Sequence, residues 1–235
     1  MTTNALTSRC GWTGLAMAAC GLAALTTSVP ASAQPDPRRG PPGCVPVSER
    51  QMERGCYILV SDPLGQLPPE PLHWHIDAYP SRAAAEAAKG PRGTVVEALG
   101  RTWLMSVAEA GYRSPGGEHV AEVGPLATKP GTAYTAAYME GIMLPGAESS
   151  VHHHPGPEAL YTLAGEECME TAAGRSVGRP GGAPIVVPAD VPHKLTITGT
   201  EERRSLVLVL HDSSLPLLMR THIHGWTPKG LCGSE

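Results

Sequence analysis

Between residues 119 and 211 the chain reads only as short extended runs cut by turns. The runs are His119–Val123, Ala133–Leu144, Ala159–Leu163, Cys168–Ala172, Pro184–Val187, Lys194–Thr198 and Ser205–His211. Each is rich in β-branched, aromatic or aliphatic residues, and Gly, Pro, Asn, Asp or Ser separates it from the next. No helical period lies between them. Short strands at this spacing bury their faces by packing as an antiparallel sandwich or by closing into a barrel. Composition agrees: 27 Gly and 24 Pro in 235 residues make many turns and exclude a mainly helical protein. With no Phe, aliphatic residues and Ala must carry the core. A net charge of −4 argues against a nucleic-acid groove or a polybasic membrane patch.

The part before this region has a different texture. Residues 1–33 carry one charged side chain, Arg9. Gly11 to Leu25 is an apolar run, and Ala31-Ser32-Ala33 follows. A basic start, an apolar centre and small residues at the cut are the order of a secretory signal, so the expectation is a chain exported to the periplasm or beyond. A single membrane anchor and a lipoprotein-type cut before Cys20 are the alternatives. The apolar run is short of the roughly 20 residues that a span needs, so no stable membrane span is expected after cleavage. Cleavage leaves Cys44, Cys56, Cys168 and Cys232. Four cysteines allow three pairings, and Cys44–Cys56 is favoured because it closes a short loop. Isolated thiols are the alternative.

Residues 34–56 are polar and Pro-rich and read as a loosely held arm. Residues 57–118 read as a small α+β unit. In it Tyr57–Val60 is a short strand, and Leu72, Trp74 and Ile76 alternate with His73, His75 and Asp77 along a half-buried one. Ser81 then caps a helix of Ala, Arg and Glu that Gly90 stops, and strands follow at Thr94–Leu99 and Thr102–Val107. The barrel is expected over 119–211, and 212–235 looks irregular.

One segment carries chemistry. His152 and His154 are two apart, which on a strand puts both imidazoles on one face and turns His153 to the other, exposed side. Pro155-Gly156-Pro157 then makes a turn, and Glu158 opens the neighbouring antiparallel strand. His193 follows a Pro-rich turn that can aim it at the same point. Imidazoles and a carboxylate around one centre suit one divalent transition metal ion, whether Fe, Mn, Ni, Cu, Co or Zn. The pairs His73/His75 and His222/His224 lack this context. They read as strand and tail histidines, with a second metal site or a pocket wall as the alternative, and His211 reads as a cap on the barrel's edge.

At these residues the chain resembles the cupin superfamily. Its first motif has Gly, five residues, His-x-His, three or four residues, Glu, six residues and Gly, and Gly146, His152, His154, Glu158 and Gly165 match every position. Of the second motif Gly182, Pro188 and His193 match. Asp190 stands where the family's Gly sits and Ile197 where its Asn sits, which puts the local turn geometry in question. The resemblance covers the barrel region. It implies a single metal-binding antiparallel cupin (jelly-roll-like) β-barrel of the small bacterial type, with His152, His154, Glu158 and His193 as ligands and a small-molecule ligand or substrate. A homodimer is compatible with it.

Fold does not give function here. The leading expectation is a metal-dependent oxidoreductase, dioxygenase-like, in which Glu158 is both ligand and proton acceptor. A non-redox isomerase, lyase or hydrolase and a non-catalytic small-molecule- or metal-binding protein are the alternatives. Tyr134, Tyr138, Met139 and Glu140 are candidates for the pocket wall, depending on which face of their strand turns inward. Arg203 and Arg204 read as a solvated turn, with carboxylate binding as the alternative.

Overall fold

The computed structural model describes residues 43–220 and 225–233. The signal-like start, residues 34–42 of the arm, and His222 and His224 lie outside the described residues. The strands in chain order are β1 (Val45–Pro46), β2 (Gly55–Gln66), β3 (Leu72–Tyr79), β4 (Gly93–Ala98), β5 (Arg101–Glu109), β6 (Glu118–Leu126), β7 (Ala133–Met143) and β8 (Glu158–Ala164). They continue with β9 (Glu166–Thr171), β10 (Gly174–Gly178), β11 (Ile185–Val187), β12 (His193–Thr198) and β13 (Arg203–Asp212). One helix, α1 (Arg82–Ala88), begins at Ser81, whose hydroxyl accepts from the Ala84 N–H at 3.2 Å, as its capping position requires.

These elements make three sheets, ordered β1-β2-β7-β13-β8-β11, β10-β9-β12 and β4-β5-β3-β6. The first two face each other across one apolar interior. Met139 of β7, Leu160 of β8, Val207 and Val209 of β13, and Ile185 and Val187 of β11 meet Met169 of β9 and Leu195 of β12 there. The third sheet lies against the outer face of the first. Leu72, Trp74 and Ile76 of β3 pack on Tyr138, Leu206, Leu208 and Leu210, and the Trp74 and Tyr138 rings are 6.4 Å apart. Each large apolar side chain removed from water at this seam contributes about 1.5–3 kcal/mol. On its other face β3 lies in the sheet that α1 covers, where Ala85 packs with Tyr79, Val95 and Leu104.

The sheets cross the division expected at residue 118. β6 pairs with β3 rather than with a barrel strand. β2 pairs with β7 over nearly its whole length and so belongs to the barrel. It also runs well past Val60, and Pro63 is accommodated where the register shifts. Partner choice depends on which faces can be buried together, and a local run of residues does not record that.

From Cys44 onward the arm is not loose. β1 lies parallel to β2, Cys44 is bonded to Cys56, and Arg50 and Arg54 pair with Glu140 and Glu202. A second disulfide joins Cys168 on β9 to Cys232 in the segment after β13. That segment is irregular yet anchored, since the buried Glu170 carboxylate accepts the N–H groups of Lys229 and Leu231.

Gly165, the last glycine of the first motif, has φ +68 in the turn between β8 and β9, and a Cβ there would stand 2.8 Å from the Arg203 Cα and the Glu202 carbonyl oxygen. Both constraints are backbone ones, so neighbouring side chains cannot relieve them. We expect Gly165→Ala to destabilise the protein by about 2 kcal/mol or more, read by chemical denaturation. A change under about 0.5 kcal/mol would refute this account of the glycine.

Candidate metal centre

Three segments supply the site. His152 and His154 do not lie on a hairpin strand beside β8, as expected. Their segment instead bridges the start of β12: the His193 N–H donates to the His152 carbonyl at 2.9 Å and the His152 N–H to the His193 carbonyl at 3.2 Å. Alternation still turns His152 and His154 the same way. Glu158 opens β8 and His193 opens β12. The imidazoles of His152, His154 and His193 are buried, each offering a ring nitrogen within 4.8 Å of the others. Glu158 joins them, with Oε2 3.1 Å from His193 Nε2 and Oε1 3.9 Å from His154 Nε2.

Backbone carbonyls set the tautomers. His152 Nδ1 lies 2.8 Å from the Ser150 carbonyl, His154 Nδ1 2.6 Å from that of Leu217, and His193 Nδ1 2.9 Å from that of Val191. A carbonyl oxygen only accepts, so each Nδ1 carries a proton and donates it. Each Nε2 is then the nitrogen with the lone pair, and these atoms point at one another, with those of His193 and His152 3.1 Å apart. Lone pairs at that distance beside a buried carboxylate require a cation or a proton among them. A ring N–H held by a backbone carbonyl is also the outer-shell arrangement of metal-ligating histidines. The residues therefore fit a divalent transition metal ion, and among the described residues this is the group of three that meets the geometry.

The protonation pattern follows from burial and proximity. Burial and the neighbouring His193 push His152 down to about 4. Burial lowers His154 as well, against the opposing pull of Glu158. Burial works against charge on His193 too, but the Glu158 carboxylate outweighs it and raises that pKa. In turn His193, with His154 and His152, overcomes burial at Glu158, which falls to about 2.

Several expectations need correction. His153 is buried rather than exposed, because Met219 pairs with its backbone in both directions and the segment after β13 covers it. Of the four residues considered for the pocket wall, only Met139 faces the barrel interior. Tyr134 and Tyr138 pack in the seam with the third sheet, and Glu140 accepts from Arg50 and the Leu99 N–H. Arg203 is not in a solvated turn. It is 1% exposed and paired with Glu167 inside the barrel, six residues along β13 from the Val209 that pairs with Glu158, or about 20 Å. Arg204 does lie near the surface, with Glu53 and Glu202. His211, at the end of β13, is half-buried and lies against the Asp212 carbonyl. Asp190 takes φ +63, the left-handed conformation that a glycine would supply, so the turn before His193 survives the departure from the motif. Ile197 is a buried β12 residue. The Leu217 carbonyl was not foreseen, since a backbone acceptor in an irregular segment leaves no mark in the sequence.

The barrel has the two facing antiparallel sheets, and the convergence of the motif residues at one point, that the resemblance to the cupin superfamily implies. No protein-family model matches the chain, and no curated protein does. Solved structures are similar over part of it. A cupin-like protein from Thermotoga maritima MSB8 is 18% identical over 37% of this chain and 62% of its own length, with a TM-score of 0.31. A cupin superfamily protein from Desulfitobacterium hafniense DCB-2 is 17% identical over 37% of this chain and 74% of its own, with a TM-score of 0.29. The DMSP lyase DddQ from Ruegeria pomeroyi DSS-3 is 26% identical over 44% of this chain and 49% of its own, with a TM-score of 0.30.

A pH dependence of the metal-free protein follows. Between pH 6.5 and about 4 the unfolded chain protonates His152 and the folded one does not, so stability falls with acidification. Glu158 adds a further loss between 4.5 and about 2. His193 has the opposite sign, because its raised pKa gives a contribution present below 6.5 and lost as pH rises through the folded value. Thermal midpoints of metal-free protein should peak near pH 6.5, and a His193→Ala variant should lose the decline on the alkaline side. A flat profile from pH 4 to 6.5 would overturn the assignment of His152 as a buried neutral group.

Proposed function

We propose that this chain is an exported, metal-dependent enzyme acting on a small organic molecule, with one ion held by His152, His154, His193 and Glu158. The observation that supports it most is the convergence of three Nε2 atoms, each on a ring whose Nδ1 is held by a backbone carbonyl, on a buried carboxylate. Three neutral imidazoles and one carboxylate leave coordination positions open and suit Fe, Mn, Ni, Cu, Co or Zn. The oxidoreductase form of this reading is a dioxygenase-like reaction. A divalent ion, when bound, supplies Lewis acidity toward a substrate oxygen.

The remaining roles belong to the chain. The carbonyls of Ser150, Val191 and Leu217 hold the imidazoles in one tautomer and one orientation. With each Nδ1 protonated and each Nε2 directed at the centre, no histidine keeps a basic nitrogen free for the substrate. Glu158 is the group that can accept a proton, at a carboxylate oxygen. Met139, Leu160, Val187 and Val209 make the interior beside it apolar.

Metal analysis of the purified protein should give about one equivalent at the barrel site. His154→Ala should lose both metal and turnover. Glu158→Gln should keep a good part of the metal and lose about 10²–10⁴ in kcat for a screened substrate. Turnover that survives Glu158→Gln would remove the base role. Oxygen uptake with phenolic or dicarboxylic acids separates the dioxygenase form from a lyase or isomerase, which would turn over without it. Export rests on the signal-like start, and mass spectrometry of exported protein should find Gln34 as the first residue. An intact Met1 on protein retained in the cytoplasm would refute export.

A further inference from the structure

The face of β3 turned away from the barrel seam carries His73, His75 and Asp77, and the structure gives these residues carboxylate and histidine neighbours that the sequence did not suggest. β6 brings Glu122 opposite His75 and His119 opposite Asp77, while β5 brings Ser106 opposite His75. His75 is fully buried, and its Nε2 lies 2.9 Å from the Glu109 carbonyl oxygen. That contact fixes the proton on Nε2 and leaves the lone pair on Nδ1. Nδ1 is buried, has no hydrogen-bond partner, and faces Glu122 Oε2 at 3.9 Å. Two acceptors therefore confront each other across a gap too long for a hydrogen bond between them and of the right length for two ligands of one ion. Around the same face His73 Nδ1, Asp77 Oδ2 and Ser106 Oγ are also buried without a partner. Buried polar atoms are nearly always satisfied, so these call for a partner, whether a water or an ion.

We propose that this face binds one divalent transition metal ion through His75 Nδ1 and the Glu122 carboxylate, with solvent completing its coordination. The arrangement repeats the outer-shell pattern of the barrel centre, an imidazole N–H held by a backbone carbonyl while the other nitrogen faces a carboxylate. Burial supports it by lowering the His75 pKa, so that the ring stays neutral and able to ligate. Glu122 already accepts from Arg113 at 3.2 Å and from the Gly111 N–H at 3.2 Å. Arg113 is about half exposed and can swing into solvent when a cation shares the carboxylate. A cavity of about 240 Å³ lined by Ser106, Glu109 and Tyr112 lies beside this face. The site does not depend on the reading of the barrel centre.

The test is the stoichiometry of Zn²⁺ binding to the metal-stripped full chain, by calorimetry and by metal analysis after gel filtration. His75→Gln and Glu122→Gln should each bind one equivalent less than the unaltered protein, or bind the second at least tenfold more weakly. His154→Ala should keep the equivalent that His75→Gln loses. If the barrel centre binds nothing, the unaltered protein would bind one equivalent and His75→Gln none, so failure of that reading is distinguishable from failure of this one. Glu122 lies near the surface, and its variant decides the matter should His75→Gln not fold by circular dichroism. Equal stoichiometry and affinity in the unaltered protein and in a folded variant would overturn the proposal and leave a bridging water between the two acceptors.

Discussion

Strand β13 is buried on both faces and paired on both edges, and the rest of the molecule is arranged around that fact. Val207 and Val209 point into the barrel, while Leu206, Leu208 and Leu210 point into the seam with the third sheet. Its edges bond to β7 and β8. A solid apolar run suits such a strand, because neither face is left for water. Two glycines let other backbone come close to it, Gly156 beside Leu210 and Gly165 beside Arg203. The second sheet and the β3 sheet are thus held on opposite sides of one strand, and β8, which opens with Glu158, is held along its edge.

The candidate centre adds a second kind of constraint. Its side chains are few and close, and their directions are set by three backbone carbonyls from three places in the chain. Those carbonyls do more than orient the rings. By binding the Nδ1 protons they decide which nitrogen of each imidazole is basic, which is a chemical specification rather than a packing one. At the other end of the interior lies the buried Arg203–Glu167 ion pair, with Thr162 and Ser205 donating to the same carboxylate.

The parts of this design legible in the sequence are those with fixed local spacing. His152, His154, Glu158 and Gly165 form a periodic pattern whose geometry follows from strand alternation and one turn, and His193 is placed by its own Pro-rich turn. The Ser81 cap and the helix after it are equally local. What was not legible depends on partners distant in sequence. Alternation shows that Tyr138 and Met139 face opposite ways, but only the packing of Trp74 on Tyr138 determines which faces the barrel interior. The same holds for β6, whose residues suit a barrel strand as well as they suit β3, and for His153, which is buried by a segment with no regular structure. Asp190 is an intermediate case, since an aspartate tolerates the left-handed backbone that a glycine would have announced.

Leu217 lies beyond β13, the last strand of the barrel. The carbonyl that orients His154 is therefore supplied by chain that follows the whole barrel in order of synthesis. A barrel released or stalled at residue 212 would hold every side chain of the candidate centre and lack the acceptor that orients one of them. The direction of the His154 ring, and with it which of its nitrogens is basic, is thereby tied to chain made past that point.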